Sequence, residues 1–227
     1  MSAAGPLLLI DTATTRAVVA LGSTDGQLIE ERTWEAGYRH GEELLVRIEE
    51  LLRDRAVAPS TLGGLVVGTG PGAFTGLRVG IATAKGLAHA LHLPIAGVAT
   101  GNALLAAGEA AAAGPVVLLQ PAGASDRVLS RAGERPVILA GGMDPELRPG
   151  ERVAAVDLAG RASDDAVELG DVAHEGLAAA MLAAGAARLG AGDADDLARL
   201  VPEYVTLPRG VRGAPGDEAV ELSGGGS

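Results

Sequence analysis

Residues 68–88 read GTGPGAFTGLRVGIATAKGLA, and no other stretch limits the fold so tightly. Four glycines and one proline fall in its first nine positions. Glycine loses more backbone freedom on folding than any other residue, so this density needs a backbone reason. Either a ligand or another piece of protein must come close to the main chain. From Gly76 onward the pattern turns helical, and Gly76, Gly80, Ala84 and Ala88 recur every four residues, leaving one face almost bare. An interior glycine costs a helix about 1 kcal/mol relative to alanine, and both Gly80 and Gly86 incur that cost. Close approach of a second helix would offset it. That helix can belong to the same chain, which is the commoner arrangement, or to a partner subunit. Helix physics alone leaves both open.

Generic phosphate motifs do not match. A Walker A loop needs Lys-Ser/Thr after its last glycine, whereas Gly76 is followed by Leu77 and Arg78. Gly70, Gly72 and Gly76 give GxGxxxG, not the dinucleotide spacing GxGxxG, and the expected downstream acid is missing. A strand running into a glycine loop and a helix start nevertheless suits an anion physically.

The surroundings read as an α/β chain. LLLI (7–10), 17–21 and 27–34 are strand-like, with Asp25-Gly26 as a hairpin signal. Residues 40–55 form a helix with an apolar stripe of Leu44, Ile48, Leu51 and Leu52. GGLVVG (63–68) is a buried strand, the helix after the glycine loop runs to Leu93 before Pro94, and 95–100 is another strand. Further on, 102–113 reads as a helix and 116–120, 127–131, 137–142 and 152–156 as strands. Residues 172–190 read as one helix, and 192–204 as a final helix capped by Asp193. The stretch from Pro208 has no period and reads as a disordered tail.

Composition narrows the function classes. The hydrophobic fraction is 48% and the charged fraction 21%, so the chain is globular. Aromatics are 2%, so the core must be built from aliphatic and small side chains. A formal net charge of −11 disfavours direct binding of a phosphate backbone, so any nucleic acid would be met through a partner. The absence of cysteine excludes disulfides, thiolate metal sites and cysteine catalysis. The apolar run at 7–10 lacks a basic flank and is no signal peptide, and no window resembles a membrane span. The reading is a soluble, cytoplasmic protein with no membrane role.

LLLIDTAT (7–14), the helix opening at His40-Gly-Glu-Glu-Leu-Leu, VVGTGPGAFTGLRVGIATAKGLAHAL (66–91) and IAGVAT (95–100) closely resemble the TsaB (YeaZ) family. Val201-Pro-Glu-Tyr204 is a weaker echo. The resemblance implies an actin-like (sugar kinase/Hsp70-type) fold of two related α/β subdomains with mixed sheets. It implies a non-catalytic platform subunit of the machinery that makes N6-threonylcarbamoyladenosine at position 37 of tRNA. It further implies heterodimers with catalytic TsaD, TsaE reached through the complex, homodimers when TsaD is absent, and tRNA contacted only indirectly. Expected boundaries are 1–99 for a partner-binding subdomain, 100–205 for a shortened second subdomain and 206–227 for the tail.

The residues fit that division of labour. His40, His89, His92 and His174 include no pair four apart, so the HxxxH metal ligands of a TsaD-like catalyst are absent. Asp11 and Thr12 match the phosphate-facing end of the first strand in actin-like ATPases, and with Gly70 and Gly72 they define a vestigial nucleotide site. No cofactor is required, and ATP or ADP binding stays open. Ala140-Gly141-Gly142 is a candidate adenosine loop, but no second phosphate loop is found. QPAGASDRVLSRAG (120–133) departs from the acidic, aromatic stretch usual in the family. The partner surface is expected at His40, Leu44, Gly76, Arg78, Gly80, Thr83, Ala84 and Leu87. The alternative is an active actin-like ATPase, kinase or metallopeptidase.

Overall fold

The computed structural model describes residues 5–36 and 40–204, including their side chains except those of His40 and Glu42. The expected tail at 206–227 lies outside the described residues.

Five strands form the first sheet: β1 (Leu7–Asp11), β2 (Arg16–Gly22), β3 (Leu28–Glu35), β4 (Gly64–Gly70) and β5 (Ile95–Ala99). Their order is β3-β2-β1-β4-β5, antiparallel from β3 to β1 and parallel from β1 through β4 to β5. The period of two along β1 decides what covers each face. Leu8 and Ile10 pack with Leu44, Ile48, Leu51 and Leu52 of α1 (His40–Asp54) and with Ile81 and Ala84 of α2 (Phe74–Leu91). Leu7 and Leu9 face the other way, into a core shared with α3 (Thr100–Ala112) and the last helix, α5 (Leu177–Gly190).

The second sheet contains β6 (Val116–Ala122), β7 (Asp126–Ser130), β8 (Val137–Leu139) and β9 (Arg152–Ala155), in the order β8-β7-β6-β9. An antiparallel meander, β6-β7-β8, is again followed by a parallel strand beside the first one. The first half's scheme is thus repeated and shortened: a loop replaces the helix that would precede β9. Each half is an α/β unit with a mixed sheet, and the fold is actin-like.

Packing does not follow chain order. Although the sheets divide near residue 99, α5 returns to the first sheet. A Cβ at Gly185 would lie 2.4 Å from Val66 Cγ2, so only glycine lets α5 sit this close. Arg188 of α5 then clips the following segment in place. It donates to Gly97 O at 2.7 Å and to both oxygens of Asp195 at 3.0 and 3.1 Å. Asp195 in turn accepts the Gly97 N–H at 2.7 Å.

Two expected helices differ. The run 172–190 is two helices, α4 (Asp164–Glu175) and α5, broken at Gly176, where a Cβ would come within 2.8 Å of Ala107 Cβ. The final helix at 192–204 does not form, because Asp193 and Asp195 spend their carboxylates on Arg188 and Gly97. Asp196, not Asp193, caps what is left, a single turn in which Leu200 N–H donates to Asp196 O at 2.9 Å.

Asp195→Ala removes the acceptor of Gly97 N–H and one partner of Arg188 together. The expected loss is about 1–3 kcal/mol in a urea unfolding curve, with helix content by circular dichroism unchanged.

Candidate functional site

β1 ends beneath the glycine-rich turn, and that crossing decides where the expected site residues go. Asp11 is fully buried. Its Oδ1 accepts the Ala13 N–H at 3.0 Å and its Oδ2 accepts the Thr100 hydroxyl at 2.6 Å. A Cβ at Gly68 would lie 1.7 Å from Asp11 Oδ2, so the first glycine of the motif makes room for this carboxylate. Burial pushes the Asp11 carboxyl above its ordinary range, against the pull of the Thr100 and Ala13 hydrogen bonds.

Thr12 donates to Gly76 O at 2.7 Å, and Ala13 O accepts the Ala73 N–H at 2.7 Å. A Cβ at Gly72 would meet Ala13 O at 2.1 Å, and one at Gly80 would meet Thr12 Oγ1 at 2.2 Å. The glycines therefore exist for the chain's own β1. Gly70 adds a positive φ of 107° at the turn itself.

This corrects part of the expected partner surface. Leu44, Gly76, Gly80 and Ala84 all lie in the interior, because α1 and α2 turn them onto the first sheet. Arg78 is exposed, Thr83 and Leu87 are half-buried, and the side chain of His40 lies outside the described residues. A different ridge of small residues faces solvent: Ala82, Gly86 and Ala90, with nothing within 4 Å of a Cβ at Gly86. Beside it Leu45 and Val46 of α1 are 55% and 51% exposed. A cavity of about 420 Å3 lies between the two helices, lined among others by Leu45, Val57, Leu87 and Leu91. The unexplained cost of Gly86 was the sequence signal for this ridge.

The nucleotide expectation fares differently. A cleft of about 440 Å3 separates the glycine turn from β6 and β7. Of Asp11, Thr12, Gly70 and Gly72, only Gly72 lines it. Asp11 faces Thr100 instead. The cleft also holds Thr15, Phe74, Gln120, Asp157 and Tyr204, and among the described residues no lysine or arginine lines it. Asp157 accepts the Thr15 N–H at 2.9 Å as well as its hydroxyl. Gln120 is buried and donates to Pro71 O at 3.3 Å, while its Oε1 has no partner.

Two of the chain's few aromatic rings meet at the cleft mouth. Phe74 and Tyr204 stand 5.1 Å apart, with the Arg78 guanidinium 3.7 Å over Phe74 and its Nε donating to the Tyr204 hydroxyl at 3.1 Å. Glu203 brings Tyr204 there: its N–H donates to Thr69 O at 2.8 Å and its carboxylate accepts the Thr69 hydroxyl at 2.7 Å. Sequence reasoning gave Tyr204 only as an echo and assigned it no role.

His174 carried no sequence signal, yet it joins the two halves. It is 4% exposed, and its Nε2 lies 3.1 Å from Thr14 Oγ1 and 3.2 Å from Arg16 O. Burial, then the nearby Arg16 charge, hold its pKa below the ordinary 6.5. Among the described residues no group of three or more His, Cys, Asp or Glu side chains could hold a metal ion.

A family model described as TsaD, tRNA N6-adenosine threonylcarbamoyltransferase, matches residues 34–187. An uncharacterized protein of Mycobacterium leprae is 42% identical over 101 residues, 43% of this chain and 28% of that protein. The tRNA threonylcarbamoyladenosine biosynthesis protein TsaB of Bacillus subtilis is 35% identical over 103 residues, covering 45% of this chain and 44% of that protein. The Escherichia coli protein of the same name is 38% identical over 95 residues, covering 41% and 40%. The chain thus spans less than half the length of these curated relatives. The solved structure of YeaZ from Pseudomonas aeruginosa superposes with a TM-score of 0.64 at 22% identity, covering 88% of this chain and 99% of that one, a likeness of fold.

Gly80→Leu drives a side chain into Thr12 and is expected to destabilise the isolated chain by more than about 3 kcal/mol, read as a lowered Tm. His174 has a folded pKa below its unfolded one, so its contribution is complete above pH 6.5 and is lost as pH falls below that value. His174→Gln keeps the donor without titrating. It should flatten stability between neutral pH and the acid side in urea curves taken at each pH.

Proposed function

This chain belongs to the tRNA N6-adenosine threonylcarbamoyltransferase (TsaD) family, in its TsaB/YeaZ branch, and from that premise we propose that it is a non-catalytic platform subunit for threonylcarbamoyladenosine formation on tRNA. Its role is to bind and support the catalytic TsaD subunit, and to pair with a second copy of itself when TsaD is absent. TsaE and tRNA are reached through that complex.

One observation carries the reading: the unpartnered face of α1 and α2. The Ala82–Gly86–Ala90 ridge offers a helix of another subunit a close approach, and Leu45, Val46 and Leu87 offer apolar area beside it. Arg78, Thr83 and Leu87 remain part of this surface. The interior residues do not. Homologous helices pairing in this way would be related by pseudo-two-fold symmetry.

The chemistry of the cleft supports a non-catalytic role. Asp11 is committed to Thr100 and Ala13, and among the described residues no cationic side chain lines the cleft, Arg78 standing at its mouth on Phe74 and Tyr204. No observation favours an ATPase, kinase or metallopeptidase over the platform reading. Among the described residues no helix is long and apolar enough to cross a membrane.

Gly86→Phe places a ring in open space, so the monomer should keep its Tm while its affinity for TsaD falls at least about tenfold. Size-exclusion chromatography with light scattering on the mixed subunits reads this directly. Undiminished co-elution of the variant with TsaD would remove the α1–α2 face from the interface.

A further inference from the structure

Gly141 and Gly142 follow β8 and do not border the cleft. They border a separate cavity of about 500 Å3, together with Ser125, Arg127, Asp144 and Arg161. Val128 lines the cleft whereas Arg127 lines this cavity. Successive residues of a strand point to opposite faces, so the cavity lies across the second sheet from the cleft. It owes nothing to the partner surface.

Arg127 is the anomaly. It is only 6% exposed. Its guanidinium donates to Met143 O and, at 3.5 Å, to Arg161 O. Arg161 donates to Asp126 O at 3.1 Å. All these acceptors are neutral carbonyls, and among the described residues neither arginine has a carboxylate within ion-pair distance. The neighbouring Arg131 and Arg148, by contrast, are paired with Glu151 and Glu134. Asp126 accepts the Ser125 hydroxyl and the Gly141 N–H, both at 3.1 Å, and the exposed Asp144 lines both cavities without an ion pair to either arginine. A buried cation with no counter-charge is costly, and it stands out in a chain with a net charge of −11.

A second cavity of about 500 Å3 shares Arg127 and Arg161 and continues over Leu119, Leu147, Val153 and Ala166. Both compartments thus share Arg127, Arg161 and Asp144, and the second adds apolar side chains to them. We propose that the pair of cavities binds a small phosphomonoester with an apolar body. Arg127 and Arg161 take the phosphoryl oxygens, and the body lies over Leu147 and Val153. The two guanidinium groups come from different elements, β7 and the loop before α4, and line one cavity, which suits a tetrahedral oxyanion. The acidic surface turns away polyanions and leaves a small ligand.

Calorimetric titration of the full chain with phenyl phosphate and with inorganic phosphate, at ionic strength matched with chloride, tests this. Both should bind saturably, phenyl phosphate more tightly by about fivefold or more. Arg161→Gln, which keeps the backbone carbonyl that Arg127 uses, should weaken both by about tenfold or more. Leu147→Ser, at an exposed position, should reduce phenyl phosphate to the level of inorganic phosphate and leave the latter unchanged. Saturable binding of neither phosphate would overturn the site, as would full affinity in a folded Arg161→Gln variant. Benzoate binding as tightly as phenyl phosphate would overturn the phosphoryl assignment.

Discussion

Everything in the first half depends on one crossing, where the end of β1 passes beneath the glycine-rich turn. Three successive residues are tied there: Asp11 to Thr100, Thr12 to Gly76 O, and Ala13 O to the Ala73 N–H. Those bonds join β1 to the first turns of α2 and to the start of α3. They require backbone contact at Gly68, Gly72 and Gly80, where any side chain would collide with β1. A carboxylate held this deep without a cation is a poor phosphate ligand and a good pin. The same geometry that satisfies the glycine motif takes Asp11 out of the cleft.

The first hundred residues were legible because their signals are strong and local. LLLI alternates between two cores, α1 carries a clear stripe, and Asp25-Gly26 turns the hairpin. The glycine spacing was visible too, but spacing alone does not say which of two faces a neighbour touches. Gly76, Gly80, Ala84 and Ala88 form as regular a row as Ala82, Gly86 and Ala90, and only the position of β1 separates them. The second half was harder to read because tertiary bonds override its local pattern. Asp193 has the composition of a helix cap, but Arg188 takes its carboxylate. His174 is one unremarkable letter until α4 sets it against Thr14 and Arg16.

The second unit is shorter than the first by one helix. With no helix between β8 and β9, the far face of the second sheet is covered by the start of α4 and by loops, and two cavities open there beside Arg127. In the first unit, by contrast, both sheet faces are covered, and among the described residues the outer sides of α1 and α2 face solvent. The two units differ in what they leave open. One copy keeps a complete scaffold with an outward helical face, and the other keeps a sheet, a cleft and a cationic hollow.

The return of α5 to the first sheet bears on how the molecule is made. Val66 on β4 completes its cover only when Gly185 of α5 arrives, more than a hundred positions later in the chain. A nascent chain leaving the ribosome must therefore carry a half-dressed sheet through most of its synthesis, with β5 as a bare edge until Asp195 arrives. The N-terminal half is built first and closed last, by α5.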